Sequence, residues 1–217
     1  MGTQMVDAMR GDAPRYRAPG LRDWLFTPFT YIAGAPALAI GLAAILLAGL
    51  AGSFSYTHFD GVLDMHTGLV AALWVFPAEG IIAWLSLAVI LYFLGRIVSK
   101  SAFRAMDLFG TQAMSRWPML IPATAALAPA YQRFARALPQ RLIAPGGASA
   151  LPLMDALIFG AVVLVTIAAV VWMVALMYRS YCVCCNLKGG RAVGTFIGGL
   201  LAAEVIAKVA LWLAVVR

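Results

Sequence analysis

The sequence predicts an all-α, polytopic membrane bundle with five transmembrane helices, and three observations lead there. Of 217 residues 63% are hydrophobic and only 12% charged, where a soluble domain carries about a quarter charged residues. Long apolar runs match the ~20 helical residues needed to cross a bilayer, where lipid offers the backbone no hydrogen-bond partner. Lys and Arg fall in short clusters between those runs. That distribution marks loop charge and not one basic polar surface, so the net charge of +7 does not indicate a nucleic-acid partner. The partner it does indicate is the lipid bilayer.

Residues 1–30 read as a short basic cytoplasmic arm, and residues 31–217 as the membrane domain. The arm holds Arg10, Arg15, Arg17 and Arg22, and Pro14 and Pro19 break any apolar core, so it lacks the pattern of a cleaved secretory signal. Span one is placed at about 36–54, charge-free from Pro36 to Phe54. The apolar stretch from Gly68 to Leu94 is longer than one span needs. Pro77 followed by Glu79 resembles a first helical turn, with proline at the start and an acid near the positive dipole end. Span two is therefore set at about 77–98, with Gly68 to Phe76 as a short helix on the outer surface.

Span three, at about 105–131, is expected to be a broken helix, since it contains Asp107, Gln112 and Arg116 as well as Pro118, Pro122 and Pro129. After it Tyr131, Phe134, Leu138 and Leu142 alternate with Arg133, Arg136 and Arg141, the pattern of a basic segment lying on the membrane surface. Gly146 and Gly147 loosen the chain before span four, at about 156–178, and span five follows at about 192–216 with Glu204 and Lys208 its only charges before Arg217. Five spans with a cytoplasmic N-terminus place ten basic residues inside and four outside. A four-span count places twelve inside and three outside, so charge alone does not choose between them.

The strings Thr57-His58-Phe59-Asp60-Gly61-Val62-Leu63-Asp64, Ser99-Lys100-Ser101, Phe109-Gly110-Thr111-Gln112-Ala113, Asn186-Leu187-Lys188-Gly189 and Ala203-Glu204 carry a resemblance. From about Phe26 to the end, the chain resembles bacterial members of the Yip-domain family. The resemblance implies a five-helix bundle of the bacterial inner membrane, with its N-terminal region cytoplasmic and its C-terminus on the far side. Better-known eukaryotic relatives bind Rab-type GTPases and carry a long N-terminal cytoplasmic region. Here that region is reduced to a short basic arm, so GTPase recruitment is not carried over.

The first external loop contains both histidines of the chain in a His-x-Asp-x3-Asp-x-His run, His58, Asp60, Asp64 and His66. Two imidazoles and two carboxylates suit a divalent metal ion such as Zn, Mn, Fe or Ni. On one straight helix they would not share a face, but Asp60-Gly61 is a turn signal that folds the loop back, and Glu79 is a candidate fifth ligand. The plainer alternative is a polar loop whose aspartates cap the next helix and whose histidines bond locally.

Glu204 and Lys208 stand four apart inside span five, in the order that favours an intrahelical ion pair. The sharper reading has Glu204 meet Arg116 or Gln112 and makes Glu79, Arg116, Glu204 and Lys208 an intramembrane ion path. Cys182, Cys184 and Cys185 at the inner end of span four are soft-metal or lipidation candidates, or simple packing residues, since three cysteines make no closed zinc site. Gly194 and Gly198, continued by Gly199, Ala203 and Ala207, form a small-residue face for packing or a homodimer. No serine nucleophile with a base, phosphate-cradling glycine loop or nucleotide motif is present, so the chain does not read as an enzyme. Two functions are expected: a divalent-cation-binding transporter of an ion or small solute, or a non-transporting scaffold that organises the membrane or recruits protein partners.

Overall fold

The computed structural model describes residues 19–68, 70–143 and 152–215, and of 140–143 and 215 only the backbone. Arg10, Pro14, Arg15, Arg17, Gly146, Gly147 and Arg217 lie outside the described residues. The chain folds as α1 (Leu21–Phe26), α2 (Gly34–Ser55), the strand pair β1 (Thr57–His58) and β2 (His66–Thr67), then α3 (Val75–Val98). There follow α4 (Ala105–Met114), α5 (Leu120–Ala125), α6 (Pro129–Ile143), α7 (Leu153–Cys185) and α8 (Gly189–Val215). Four of these, α2, α3, α7 and α8, are long and apolar enough to cross a membrane. The protein is a mostly helical, multi-pass membrane protein.

At 1.5 Å per residue α2 is about 33 Å long and α7 about 50 Å, so α7 outruns the ~30 Å hydrocarbon core. The outer faces of these helices are apolar: Leu47, Leu164, Val171, Leu201 and Val205 are all exposed. The interior contains Thr111, Gln112, Ser115, Arg116 and Ser180 among its buried side chains. Apolar groups facing outward and polar groups inward is the arrangement of a chain whose solvent is lipid.

One expected element, the short helix from Gly68 to Phe76, comes out differently. Residues 70–74 are not helical; a turn at Leu73 and Trp74 leads into α3, which starts at Val75 and so places Pro77 third in the helix. The run 105–131 is a broken one, as expected. It divides into α4, a 3-10 turn at Trp117–Met119 and α5, and its last residues already belong to α6. Pro118 causes the break, since its ring would strike the carbonyl of Met114 and it has no N–H to continue the α-helix. Pro122 falls within the first turn of α5, where proline is tolerated.

The broken run still travels along the bundle. Gly110 packs against the backbone of Gly34, and Gly41 against that of Ala113 and Met114. A Cβ on Gly41 or Gly110 would stand 2.3 Å from those atoms, so only glycine lets α2 and α4 approach this closely. Further on, Met119 meets the cavity wall formed by Ile45, Ala48 and Gly49. The segment therefore runs alongside α2 in the same direction and ends near the loop, where α6 takes over. Arg136 of α6 sits 5.2 Å over the Tyr56 ring, and Arg133 is bonded by both Nε and Nη2 to Asp155 at the start of α7, at 2.8 and 2.7 Å. At the opposite end Ser99 donates to the Cys185 carbonyl at 2.7 Å, and Asn186, in the left-handed conformation at φ 49°, ends α7 and donates to Ser101 at 3.1 Å.

Candidate functional site

The loop between α2 and α3 folds back as a short antiparallel pair with His58 opposite His66 and Thr57 opposite Thr67, and a bend at 61–63 follows the Asp60-Gly61 turn signal. The bend drops into the mouth of the bundle, where Phe59 and Val62 are buried. His58 and Glu79 are both buried, with Nδ1 and Oε1 2.7 Å apart. The other carboxylate oxygen, Oε2, accepts the Phe59 N–H at 3.0 Å. The His58 ring stacks between Phe76, at 4.5 Å, and His66, at 5.1 Å. His66 Nδ1 lies 3.2 Å from Asp60 Oδ1. That contact raises the His66 pKa above its ordinary value and lowers that of Asp60 below its own, despite partial burial of both.

A second anchor comes from α8. Glu204 Oε2 accepts the N–H groups of Val62 and Leu63, at 2.7 and 3.1 Å. Lys208 lies 3.8 Å from Glu204 Oε1 but reaches Asp64 Oδ2 at 2.6 Å. The intrahelical pair read from sequence is thus present, though each member has a shorter partner in the loop. Gly61 permits this seating, since a Cβ there would stand 2.2 Å from Glu204 Oε1.

The five expected metal ligands divide into imidazole–carboxylate pairs, His58 with Glu79 and His66 with Asp60, while Asp64 is drawn to Lys208. Among the described residues no three His, Cys, Asp or Glu side chains converge on one point. A divalent ion at the loop would have to replace the protons these pairs share.

Below the seated loop lies a cavity of about 20 Å³, room for about one water. Its walls include Phe59, Val62, Asp64, Met119 and Arg116. Arg116 is 6% exposed and occupies the break between α4 and the 3-10 turn. Its Nε and Nη2 are buried without a hydrogen-bond partner, and Glu204 is the charged group that acts on it electrostatically. The irregular backbone at Arg116 is thus enclosed by protein and lines the cavity.

From Arg116 a polar seam continues along α4 against α7. Gln112, one turn away, donates from Nε2 to the Met177 carbonyl at 2.9 Å and to Ser180 Oγ at 3.0 Å, leaving its buried Oε1 unpartnered. Ser180 Oγ and Thr111 Oγ1 are 2.7 Å apart, and Thr111 donates to the Asp107 carbonyl at 2.7 Å. Cys184 Sγ lies 3.3 Å from Thr111. With Thr111 donating to Asp107, the Ser180 hydroxyl is left to donate to Thr111 and accept from Gln112, a single ordered chain.

The cysteines lie at the end of α7 remote from the loop, with Cys185 buried, Cys182 and Cys184 half-buried, and all three free thiols. Gly199 packs on Leu91 and Leu94 of α3, whereas Gly194 and Gly198 have nothing within 4 Å. Sequence reading singled out Arg116 and Gln112 but missed Thr111, Ser115 and Ser180. The spacing Thr111/Ser115 beside Gln112/Arg116 is the signal that was available, as polar residues four apart share a helix face. Neither a protein-family model, nor a curated protein, nor a solved structure matches the chain.

Proposed function

We propose that this chain is a Yip-like transporter of the bacterial inner membrane, moving a small ion or solute along the seam from the seated loop through Arg116, Gln112, Thr111 and Ser180. The broken run 105–125 serves as the third of five crossings. The observation that supports the reading is the buried polar interior itself: Gln112 and Arg116 keep unpartnered polar atoms in a bundle whose outside is apolar. A packing interior gains nothing from such atoms, since each costs about 1–3 kcal/mol when buried unmade. A divalent cation bound by His58, Asp60, Asp64, His66 and Glu79 belongs to this proposal as a ligand of the loop, separate from the solute that moves.

Flux measured in proteoliposomes tests it. Wild-type protein should move the solute, and Gln112→Leu, which interrupts the seam while keeping an apolar fold, should lower flux at least tenfold. Wild-type flux no greater than that of empty vesicles removes the transporter reading. A membrane scaffold is then the better reading, favoured by Gly194 and Gly198, which face outward with open space for a second copy or another protein's helix. The third crossing is tested with impermeant thiol labelling in a cysteine-free background. Lys100→Cys and Pro139→Cys should label from opposite sides; labelling from one side supports four crossings.

A further inference from the structure

We infer that Arg116 is the ligand of a small monovalent inorganic anion of halide size, held in the cavity beneath the external loop. This rests on the transport reading and names the class of solute. The guanidinium carries a permanent positive charge and donors arranged in a rigid plane. Buried with Nε and Nη2 unpartnered, it has a need that a bound anion meets with charge-assisted hydrogen bonds. The nearby carboxylates are engaged elsewhere, Glu204 with the Val62 and Leu63 amides and Asp64 with Lys208. Neither bonds Arg116 Nε or Nη2, and a cation beside the guanidinium would meet like charge in a poorly screened interior.

The cavity sets the size. A cavity of about 20 Å³ favours a small ion over a bulky one. The walls set the order among small anions. Ile45, Phe59, Val62, Met119 and Met173 offer no hydrogen bonds to replace lost hydration, so the strongly hydrated fluoride is disfavoured relative to chloride and bromide. Glu204 opposes the anion electrostatically, which ties occupancy of the site to the residue that also seats the loop.

The test uses the full chain purified in lipid nanodiscs, with thermal unfolding followed in sodium chloride, bromide, fluoride, sulfate or gluconate at constant ionic strength. Chloride and bromide should give a saturable rise in unfolding temperature, with little effect from the others. Arg116→Met should weaken halide binding about tenfold or more, Arg116→Lys should retain part of it, and Glu204→Gln should tighten it. An equal rise with gluconate, or a halide response unchanged in Arg116→Met, overturns the site. Where Arg116→Met yields too little protein to titrate, the anion series on wild type and Arg116→Lys carries the same decision. Halide-quenched dye in proteoliposomes separates the two proposals. Stabilisation by halide without flux keeps the anion site and removes transport; flux of another solute with no halide response keeps transport and overturns this inference.

Discussion

Two charged regions face each other across one small cavity, and they are built on opposite terms. On the loop side every acidic side chain has a partner: Glu79 has His58 and the Phe59 amide, Asp60 has His66, Asp64 has Lys208, and Glu204 has two backbone amides. On the other side Arg116 and Gln112 keep polar atoms with none. The same chain that satisfies four carboxylates leaves a guanidinium unsatisfied. The first region has the economy of a structural clasp, and the second the economy of a site waiting for something else.

The largest effect should come from opening the clasp. Glu204→Ala strips the Val62 and Leu63 amides of their acceptor and leaves Lys208 with Asp64 alone, at a cost of about 3 kcal/mol or more. Glu204→Gln, which keeps an acceptor oxygen, should cost clearly less. Denaturant unfolding in mixed micelles measures both, and equal losses would mean that charge and not amide capping holds the loop. Next comes Gly61→Ala, whose Cβ would meet Glu204 Oε1 at 2.2 Å. Either the carboxylate or the bend must move, costing about 1–3 kcal/mol, and hydrogen exchange at Val62 and Leu63 should quicken. Unchanged protection there would show that Glu204 does not seat the bend.

How much of this could be read from the sequence differs between the regions for a physical reason. Hydropathy gives the long helices because bilayer thickness fixes their length, and Pro118 announces the break in the third run. The loop's fold-back was visible in Asp60-Gly61, and Glu79's nearness to it followed from its place early in α3. The partners were not visible, because Glu204 and Lys208 reach Val62, Leu63 and Asp64 across more than 140 residues of chain. Clustered donors could therefore be read as one metal site or as local contacts, and tertiary packing sorts them into pairs. Arg116 stood out as an intramembrane charge, but its lack of a partner is a property of the packed bundle. Of the small-residue face on α8, Gly199 packs on α3 while Gly194 and Gly198 stay open, and close backbone approach between helices comes at Gly41 and Gly110.

A smaller effect belongs to the half-exposed His66–Asp60 pair. The raised His66 pKa means that its contribution is present below the ordinary histidine value and fades as pH rises through the folded value. The depressed Asp60 pKa means that its share is present above the ordinary aspartate value and fades as pH falls through the folded one. The loop should therefore be firmest at mildly acidic pH. Asp60→Asn should bring the His66 titration, followed by NMR, back towards 6.5. A histidine that titrates identically in both proteins would detach the pair from the clasp. Zinc titration sharpens the same point: binding that vanishes in His58→Ala with His66→Ala would show that the pairs open to admit a metal, whereas binding indifferent to both would leave them as local contacts.

The central claim is that Arg116 is kept for a ligand and not for the fold, and the most direct measurement is the unfolding free energy of Arg116→Met in halide-free buffer beside that of wild type. Removing an unpartnered buried charge in favour of an apolar side chain of similar length should leave stability unchanged or raise it by about 1 kcal/mol. A loss comparable to that of Glu204→Ala would contradict the account, because it would make Arg116 a structural partner like the carboxylates across the cavity.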